Sequence, residues 1–224
     1  MLTGTALWIA LIPALGPIDR YGGAPSVADG AGIALKTEMV KIAIGKRDAA
    51  VEARYVFKNL TAKEIKTTLR LPLIATDSPL PPAANLFPEF MATWDNAPAT
   101  WTLSAGPQVG GSEVFSYEKS YFIPVLLKPS ATHVLRCSYR TSLGKADLAR
   151  YVAYRTGGAR SFEGRVERAD LSYTYAPDTV FEILGFTPAW KWAWGTTGAY
   201  CMRQDFEPAE GETMSMVFYP ADLR

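Results

Sequence analysis

Strict alternation of apolar and polar residues in two neighbouring segments is the feature that most limits the fold. Residues 51–58 place Val, Ala, Tyr and Phe at every second position, with Glu, Arg, Val and Lys between them. Residues 65–71 repeat the pattern with Ile, Thr, Leu and Leu against Lys, Thr and Arg. This period is typical of strands with one buried and one solvated face, which favours antiparallel sheets. We therefore predict an all-β fold, namely an antiparallel β-sandwich, and leave open whether it is divided into two packed lobes. The core should contain Tyr55, Phe57, Leu69 and Leu71.

The rest of the chain carries shorter segments of the same kind, separated by turn residues. Residues 17–37 are rich in Gly, Ala and Pro and are interpreted as a linker, and the proline-rich stretch 75–90 as a connection. Residues 144–153 are the best candidate for a helix, which would be short. The predicted strands are 39–44, 51–58, 65–71, 91–94, 100–103, 117–127, 133–139, 150–155, 164–175, 179–184, 199–206 and 213–219.

Residue types that usually perform chemistry are scarce in this sequence. Among 224 residues there is one histidine, His133, and there are two cysteines, Cys137 and Cys201. A Ser-His-Asp triad or a His-rich zinc site would have to use His133, which has no acid or nucleophile motif beside it and is interpreted as a surface or half-buried residue. The net charge is +1 and no basic run is present, so nucleic acid is not an expected partner. We predict no catalytic residue, no cofactor and no bound metal.

The amino terminus carries the one targeting signal. Ala6–Leu15 is an apolar run with the length of a signal-peptide core, too short to span a bilayer, so no integral membrane span is expected. No Lys or Arg precedes the run, and Pro17 would block cleavage after Gly16; Ser26-Val27-Ala28 is a better cleavage match but lies far downstream. We interpret residues 1–16 as a candidate signal peptide, which predicts an extracytoplasmic protein, periplasmic or secreted.

Two stretches carry a family resemblance. Residues 38–72 read as a strand, a polar turn, an alternating strand ending in Asn59, and a strand that closes on Leu71-Pro72-Leu73. Residues 122–129 and 134–139 fit the later strands of the same pattern. Over residues 33–143 the chain resembles vault/inter-alpha-trypsin (VIT) domains, and an exported bacterial domain-of-unknown-function family with a Y-x-F-x-N … P-L-P signature.

This resemblance implies an extracytoplasmic β-sandwich and supplies no catalytic residues. Asn59 and Pro72 match its signature, and both are interpreted as structural, Asn59 at a tight turn and Pro72 at a strand end. The resulting division of the chain is a VIT-like sandwich over 38–143, followed by residues 144–224. The latter supply additional strands that pack on it or form a second small β lobe.

A tryptophan stripe near the carboxyl end is the most distinctive local motif. Trp190, Trp192 and Trp194 alternate, so they would share one face if the segment were a strand. Three indoles on one face could stack against sugar rings and form a ligand platform, or they could close the end of the core. We favour packing, because large exposed apolar patches are rare on soluble proteins. Trp94 and Trp101 carry the same ambiguity.

Acidic residues and cysteines offer weaker candidates. Glu163, Glu167 and Asp170 interleave with arginines and are interpreted as a solvated face with ion pairs. Asp205, Glu207, Glu210 and Glu212 could ligate calcium, but they lack the spaced acidic loop that calcium sites use. Cys137 is predicted to face inward, and a disulfide to Cys201 would require their Cα atoms to lie within about 7 Å.

These observations favour a non-catalytic extracytoplasmic β-sandwich with an interaction or structural role in the cell envelope. The alternative is a carbohydrate-binding module that uses the tryptophan stripe. A third hypothesis is an exported hydrolase that uses acidic residues. The partner, a protein or a glycan, is not identified by the sequence.

Overall fold

A computed structural model describes residues 15–80, 86–104, 108–109 and 115–223, and it shows an all-β protein, as predicted. Its strands form three sheets. In the five-stranded sheet the order is β1–β4–β9–β7, and β8 also pairs with β9. Its strands are β1 (Ile18–Tyr21), β4 (Ile65–Ser78), β7 (Thr102–Leu103), β8 (Gln108–Val109) and β9 (Phe115–Leu127).

The eight-stranded sheet is the largest and runs in the order β15–β16–β13–β2–β3–β10–β5–β6. Its β13 lies parallel to β2, and the other strand pairings in the described ranges are antiparallel. The strands are β2 (Ile33–Ile44), β3 (Asp48–Asn59), β5 (Met91–Trp94), β6 (Ala97–Pro98), β10 (Thr132–Ser142), β13 (Val166–Tyr175), β15 (Ala193–Trp194) and β16 (Gly198–Phe206).

The four-stranded sheet runs in the order β11–β12–β17–β14 and draws on the second half of the chain. Short 3-10 helices lie at Gly157–Ser161 and Ala221–Leu223. No helix in the described ranges is long and apolar enough to cross a membrane. The strands are β11 (Gly144–Ala146), β12 (Ala149–Arg155), β14 (Val180–Thr187) and β17 (Thr213–Pro220).

One apolar core is shared by residues from all three sheets. The alternating segments supply it as predicted, because Tyr55, Phe57, Leu69 and Leu71 are each at most 1% exposed. A β-bulge in β2, where the register shifts between Leu35 and Thr37, changes the phase of that strand. Ile33 and Leu35 point inward before the bulge, and residues 38, 40, 42 and 44 point inward after it.

The stretch 17–37 is not a linker, which corrects the sequence interpretation. Ile18–Tyr21 forms β1 on the edge of β4, and β2 already begins at Ile33. Between them the small residues permit close backbone contact, since a side chain at Gly23 would collide with the carbonyl oxygen of Arg155. Glycine and alanine here indicate tight packing against β12 instead of flexibility.

The third strand does not end at Pro72, and part of the predicted connection 75–90 is strand. β4 continues through Pro72 to Ser78, and residues 81–85 lie outside the described ranges. The Arg70 N–H donates to the Ser26 carbonyl, and Pro72, two residues on, directs its nitrogen to that same side. The ladder to β9 therefore loses no donor at the proline.

The helix expected over 144–153 is also wrong. Gly144–Ala146 and Ala149–Arg155 form the antiparallel hairpin β11–β12, joined by Asp147 and Leu148. Asp147 adopts a left-handed φ of 55°, a conformation that aspartate tolerates better than most residues.

The candidate signal peptide falls almost wholly on residues 1–14, which lie outside the described ranges, so it stays a prediction.

Candidate functional site: a groove on the eight-stranded sheet

The outer face of the eight-stranded sheet carries an open groove of about 390 Å³. Volumes of this size are typical of sites for small ligands. The groove, called the sheet groove below, is formed by outward-pointing side chains of four strands. They are Met39 and Lys41 of β2, Glu52 and Arg54 of β3, Met91 and Thr93 of β5, and Arg136 and Ser138 of β10.

Two thioether side chains give the sheet groove its apolar walls. Met39 is 37% exposed and Met91 is 64% exposed, although both belong to well-paired strands. Methionine is flexible and polarisable, so it adapts to ligands of different shape and is common on binding surfaces. The groove therefore offers apolar contact area without a fixed shape.

Two arginines face each other at the centre of the sheet groove. Arg54 of β3 lies directly opposite Arg136 of β10 in the antiparallel register. Arg136 Nη1 donates a hydrogen bond of 2.5 Å to Asn96 Oδ1. This amide oxygen orients the guanidinium but, because it is neutral, does not neutralise the positive charge. Lys41 and Glu52 are also directly opposite each other. Three basic side chains and one acidic side chain therefore line the groove, which leaves an excess of positive charge.

Two other arginines on the same sheet, Arg140 and Arg168, are neutralised by aspartates. Arg140, also on β10, makes a two-pronged bond to Asp48 of β3, with Nε donating to Oδ2 at 2.8 Å and Nη2 to Oδ1 at 2.5 Å. Arg168 binds Asp170 through two bonds of 2.7 and 2.9 Å. The guanidinium groups hold the pKa of Asp48 and of Asp170 below its usual value. Within the described ranges Arg54 and Arg136 have no such acidic partner. Arg203 of β16 also lacks one, but its guanidinium lies over the rings of Trp190 and Phe206.

A second polar cluster lies on the opposite, inner face of this sheet. Glu38 follows the bulge in β2 and is fully buried. Tyr55 and Tyr154 are joined hydroxyl to hydroxyl at 2.7 Å, and Tyr154 donates to Glu38 Oε1 at 2.7 Å, while Oε2 has no partner in the described residues. Burial raises the pKa of the Glu38 carboxyl to about 7, and the Tyr154 hydrogen bond only partly opposes that rise. Enclosure in the core makes this cluster structural.

His133 is not a surface or half-buried residue as the sequence suggested, because it is only 4% exposed. The Lys128 backbone N–H donates to Nε2 at 2.9 Å, so the ring proton is on Nδ1, which donates to Asp95 Oδ2 at 2.6 Å. The ring also stacks on Trp94 with 5.3 Å between centroids. Both nitrogens are committed to holding the β9–β10 turn against the β5–β6 hairpin.

The tryptophan stripe does not form one face. Only Ala193–Trp194 is strand, and the three indoles separate into different environments. Trp192 is 8% exposed and stacks on Phe186 at 4.6 Å, whereas Trp194 is 63% exposed. Trp190 is half-buried, with the Arg203 guanidinium 5.1 Å from its ring centre. The stripe therefore contributes mainly to packing, and Trp194 is its one exposed ring.

We expect Trp192 and Trp194, the buried and the exposed ring of the stripe, to differ in their contributions to stability. Trp192→Ala should lower the free energy of unfolding by about 2 kcal/mol, because lost packing is partly offset by removing a buried indole N–H that lacks a partner. Trp194→Ala is the matched control and should change it by less than about 0.5 kcal/mol. Urea titrations of both variants test this expectation, and equal losses would contradict it.

The cysteines and carboxyl-terminal acids do not assemble into sites. Cys201, Leu171, Val40, Ala53 and Cys137 occupy one row across five adjacent strands. Four strand spacings place the thiols roughly 19 Å apart, far beyond disulfide reach, and both are free. Asp205 and Glu207 both pair with Arg165, and Glu212 bonds Thr156. Within the described ranges, no three His, Cys, Asp or Glu side chains are grouped to hold a metal ion.

Sequence reasoning missed both the sheet groove and the buried carboxyl. Glu38 had a detectable signal, because it lies in the same phase as Val40, Ile42 and Ile44. The groove had none, since its residues come from four strands whose register a single sequence does not specify. The sequence pattern correctly predicts that Arg54 lies on the solvated face of its strand. It does not predict that Arg136 of β10 lies opposite it.

The described part of the chain consists of packed β-sheets with an open groove on the outer face of the largest sheet. No known family model matches the chain, and no curated protein sequence matches it significantly. A solved structure from Legionella pneumophila, provisionally assigned as a nutrient-binding protein, is similar with a TM-score of 0.68 and 14% identity. The similarity covers 88% of this chain and 70% of that one, and it shows a shared fold.

Two enzymes show weaker similarity. An M1 zinc metallopeptidase from Deinococcus radiodurans has a TM-score of 0.41 at 9% identity, with 84% of this chain and 42% of that one covered. Yeast leukotriene A4 hydrolase has a TM-score of 0.44 at 11% identity, with coverages of 83% and 29%. Both similarities are too low to bear on the fold or function of this chain.

Proposed function

We propose that this chain is a non-catalytic extracytoplasmic binding protein with an interaction role in the cell envelope, and that the sheet groove is its ligand site. The observation that carries the proposal is the combination of exposed Met39 and Met91 with the unneutralised arginines Arg54 and Arg136. A sheet surface that serves only solubility usually carries interspersed charges of both signs and few exposed apolar side chains such as methionine. The provisional assignment of the Legionella protein as nutrient-binding is compatible with this role.

The state of the usual catalytic groups supports a non-catalytic role. Both nitrogens of His133 are engaged in fixed hydrogen bonds, so the ring is not free to transfer a proton to a ligand. Burial raises the pKa of Cys137 to about 12 and raises that of Cys201, which keeps both as poorly nucleophilic thiols. Glu38 has a pKa near neutrality but lies on the inner face, opposite the groove.

The alternatives from the sequence receive less support. A sugar platform built on Trp190, Trp192 and Trp194 would need several displayed rings, and only Trp194 is largely exposed. A hydrolase using the acids near the carboxyl end would need free carboxylates, and Asp205 and Glu207 are bound to Arg165. Export, residence in the envelope and membership of residues 33–143 in the VIT-like group are parts of the proposal that rest on the sequence.

Binding of a neutral apolar probe tests the role of the groove. We expect N-phenylnaphthylamine, whose fluorescence rises in apolar sites, to bind the parent protein and to bind the Met39→Gln/Met91→Gln variant about tenfold more weakly. The reason is that two thioethers together bury enough apolar surface to contribute about 1 to 2 kcal/mol. Fluorescence titration gives both affinities.

Met202→Gln is the matched control for this titration. Met202 lies on the outer face of the same sheet, in one cross-strand row with Met39, and is 43% exposed, but it does not line the groove. Its substitution should leave the affinity unchanged. Equal weakening by Met202→Gln, or no binding by the parent protein, would overturn the proposed site.

A further inference from the structure

The Arg54–Arg136 pair is unfavourable in the absence of a bound group. Opposed side chains on antiparallel strands have Cβ atoms about 4.5–5.5 Å apart, and like charges at this distance destabilise the sheet. Within the described ranges Arg54 makes no ion pair or side-chain hydrogen bond, and Arg136 bonds only neutral Asn96. A sheet built for stability alone would place an acid at one of these positions.

The same two strands contain that stabilising arrangement nearby. Asp48 of β3 and Arg140 of β10, which are diagonal neighbours in the register, form a two-pronged ion pair at one end of the ladder. Strands β3 and β10 therefore neutralise one arginine internally and leave two opposed arginines in the groove. The contrast singles out Arg54 and Arg136 as groups prepared for an external anion.

The apolar surroundings specify the remainder of the ligand. Met39 lies directly opposite Arg54 on β2, the neighbour of β3 on the side away from β10. Met91 lies on β5, diagonal to Arg136 of β10. Guanidinium groups bind carboxylate and phosphate oxygens through two parallel hydrogen bonds, and thioethers contact hydrocarbon. A ligand that satisfies both features has an oxyanion head and a short apolar body.

We propose that the sheet groove binds a small amphipathic oxyanion, with its carboxylate or phosphate head between Arg54 and Arg136 and its apolar body against Met39 and Met91. This proposal rests on the proposed function and adds the chemical class of the ligand. It assigns Arg54 and Arg136 as the residues that select charge, and the methionines as residues that hold the apolar part. Glu52, the acid among the side chains named above for the groove, lies opposite Lys41 and diagonal to Arg136, and it makes no ion pair in the described ranges.

Competition among probes that share a ten-carbon chain and differ in the head group tests the ligand class. Decanoate and decyl phosphate should displace N-phenylnaphthylamine from the groove at concentrations at least about tenfold lower than decanol or decyltrimethylammonium. The relative strength of the two anions distinguishes a carboxylate ligand from a phosphate ligand. Raising the salt concentration should weaken the anions and leave decanol unaffected.

Substitution of the arginines assigns the effect to this pair. Arg54→Gln and Arg136→Gln should each weaken decanoate binding on the order of tenfold while leaving N-phenylnaphthylamine affinity within about twofold. Arg140→Gln, the same change at a neutralised arginine of β10, should leave both unchanged. Because a like-charge contact is removed, Arg54→Gln should not lower the melting temperature of the unliganded protein.

The outcomes separate this inference from the proposed function. Equal displacement by the anionic, neutral and cationic probes, with N-phenylnaphthylamine still bound, would overturn the oxyanion class and leave the groove as a binding site. A clear loss of thermal stability in Arg54→Gln would show that the pair is structural and would also overturn the inference. Failure of N-phenylnaphthylamine to bind the parent protein would overturn the site itself.

Discussion

Replacing Asn59 with alanine should lower the free energy of unfolding by about 4 kcal/mol. Asn59 ends β3 and is fully buried. Its Nδ2 donates to the carbonyls of Lys63, Leu127 and Lys128 at 2.7 to 3.1 Å, and its Oδ1 accepts from the backbone and hydroxyl of Thr61, both at 2.9 Å. One side chain therefore joins the turn after β3 to the turn after β9.

The loss is large because alanine leaves several buried groups unpaired at once. Each such group costs about 1 kcal/mol or more when it has neither a protein partner nor water. Asn96→Gly is a suitable control, because Asn96 is exposed at a turn with a φ of 70° that glycine adopts without strain, and the hydrogen bond that it accepts from Arg136 is exposed to solvent. Urea titration should show little change in this control. A loss below about 1 kcal/mol in Asn59→Ala would contradict the role assigned to Asn59.

Replacing Glu38 with glutamine should stabilise the protein by about 3 kcal/mol at about pH 8 and have little effect at about pH 4.5. Burial raises the folded-state pKa of Glu38 from 4.5 to about 7, so the folded protein binds the proton more tightly than the unfolded chain does. The stability linked to this group is therefore fully present below pH 4.5 and is lost as the pH rises to about 7. Glutamine keeps the acceptor for Tyr154 and does not titrate.

The comparison with the parent protein isolates this one group. Asp48, Asp170 and Asp178 have lowered pKa values, so their contributions have the opposite sign and are lost as the pH falls below their usual range. They are common to both proteins and cancel in the difference. Denaturant titrations across this pH range measure it. A constant difference between Glu38→Gln and the parent from about pH 5 to about pH 8 would refute the raised pKa.

Alternation predicted the fold where both faces of a strand have a clear character. Tyr55, Phe57, Leu69 and Leu71 are buried as expected because a one-residue slip would expose all of them. The linker prediction was wrong because a high content of small residues is typical both of flexible segments and of segments whose backbone packs closely against neighbouring strands. Residues 17–37 are rich in glycine because the backbone lies against neighbouring strands, and 144–153 forms a hairpin despite lacking a Gly-rich turn.

The candidate site could not be predicted for a different reason. The groove depends on Arg54 facing Arg136 across 82 positions of sequence, and on Met91 reaching the same surface from a short strand. Such proximity is set by the pairing of strands, which neither propensity nor periodicity specifies. The tryptophan stripe, which was visible in the sequence, separates into core and surface because residues 188–192 are irregular backbone and not strand, so Trp190, Trp192 and Trp194 do not share a strand face.

Methyl-selective NMR of the methionines tests the central claim, that the sheet groove is the ligand site, most directly. Met39 and Met91 line the groove, Met202 lies on the same face outside it, and Met214 and Met216 are fully buried. Titration with anilinonaphthalene sulfonate, an amphipathic anion with a large ring current, should shift the methyl signals of Met39 and Met91 together and saturably. Those of Met202, Met214 and Met216 should stay in place. Shifts confined to Met202, or spread over the core methionines while Met39 and Met91 do not move, would contradict a binding site in the groove.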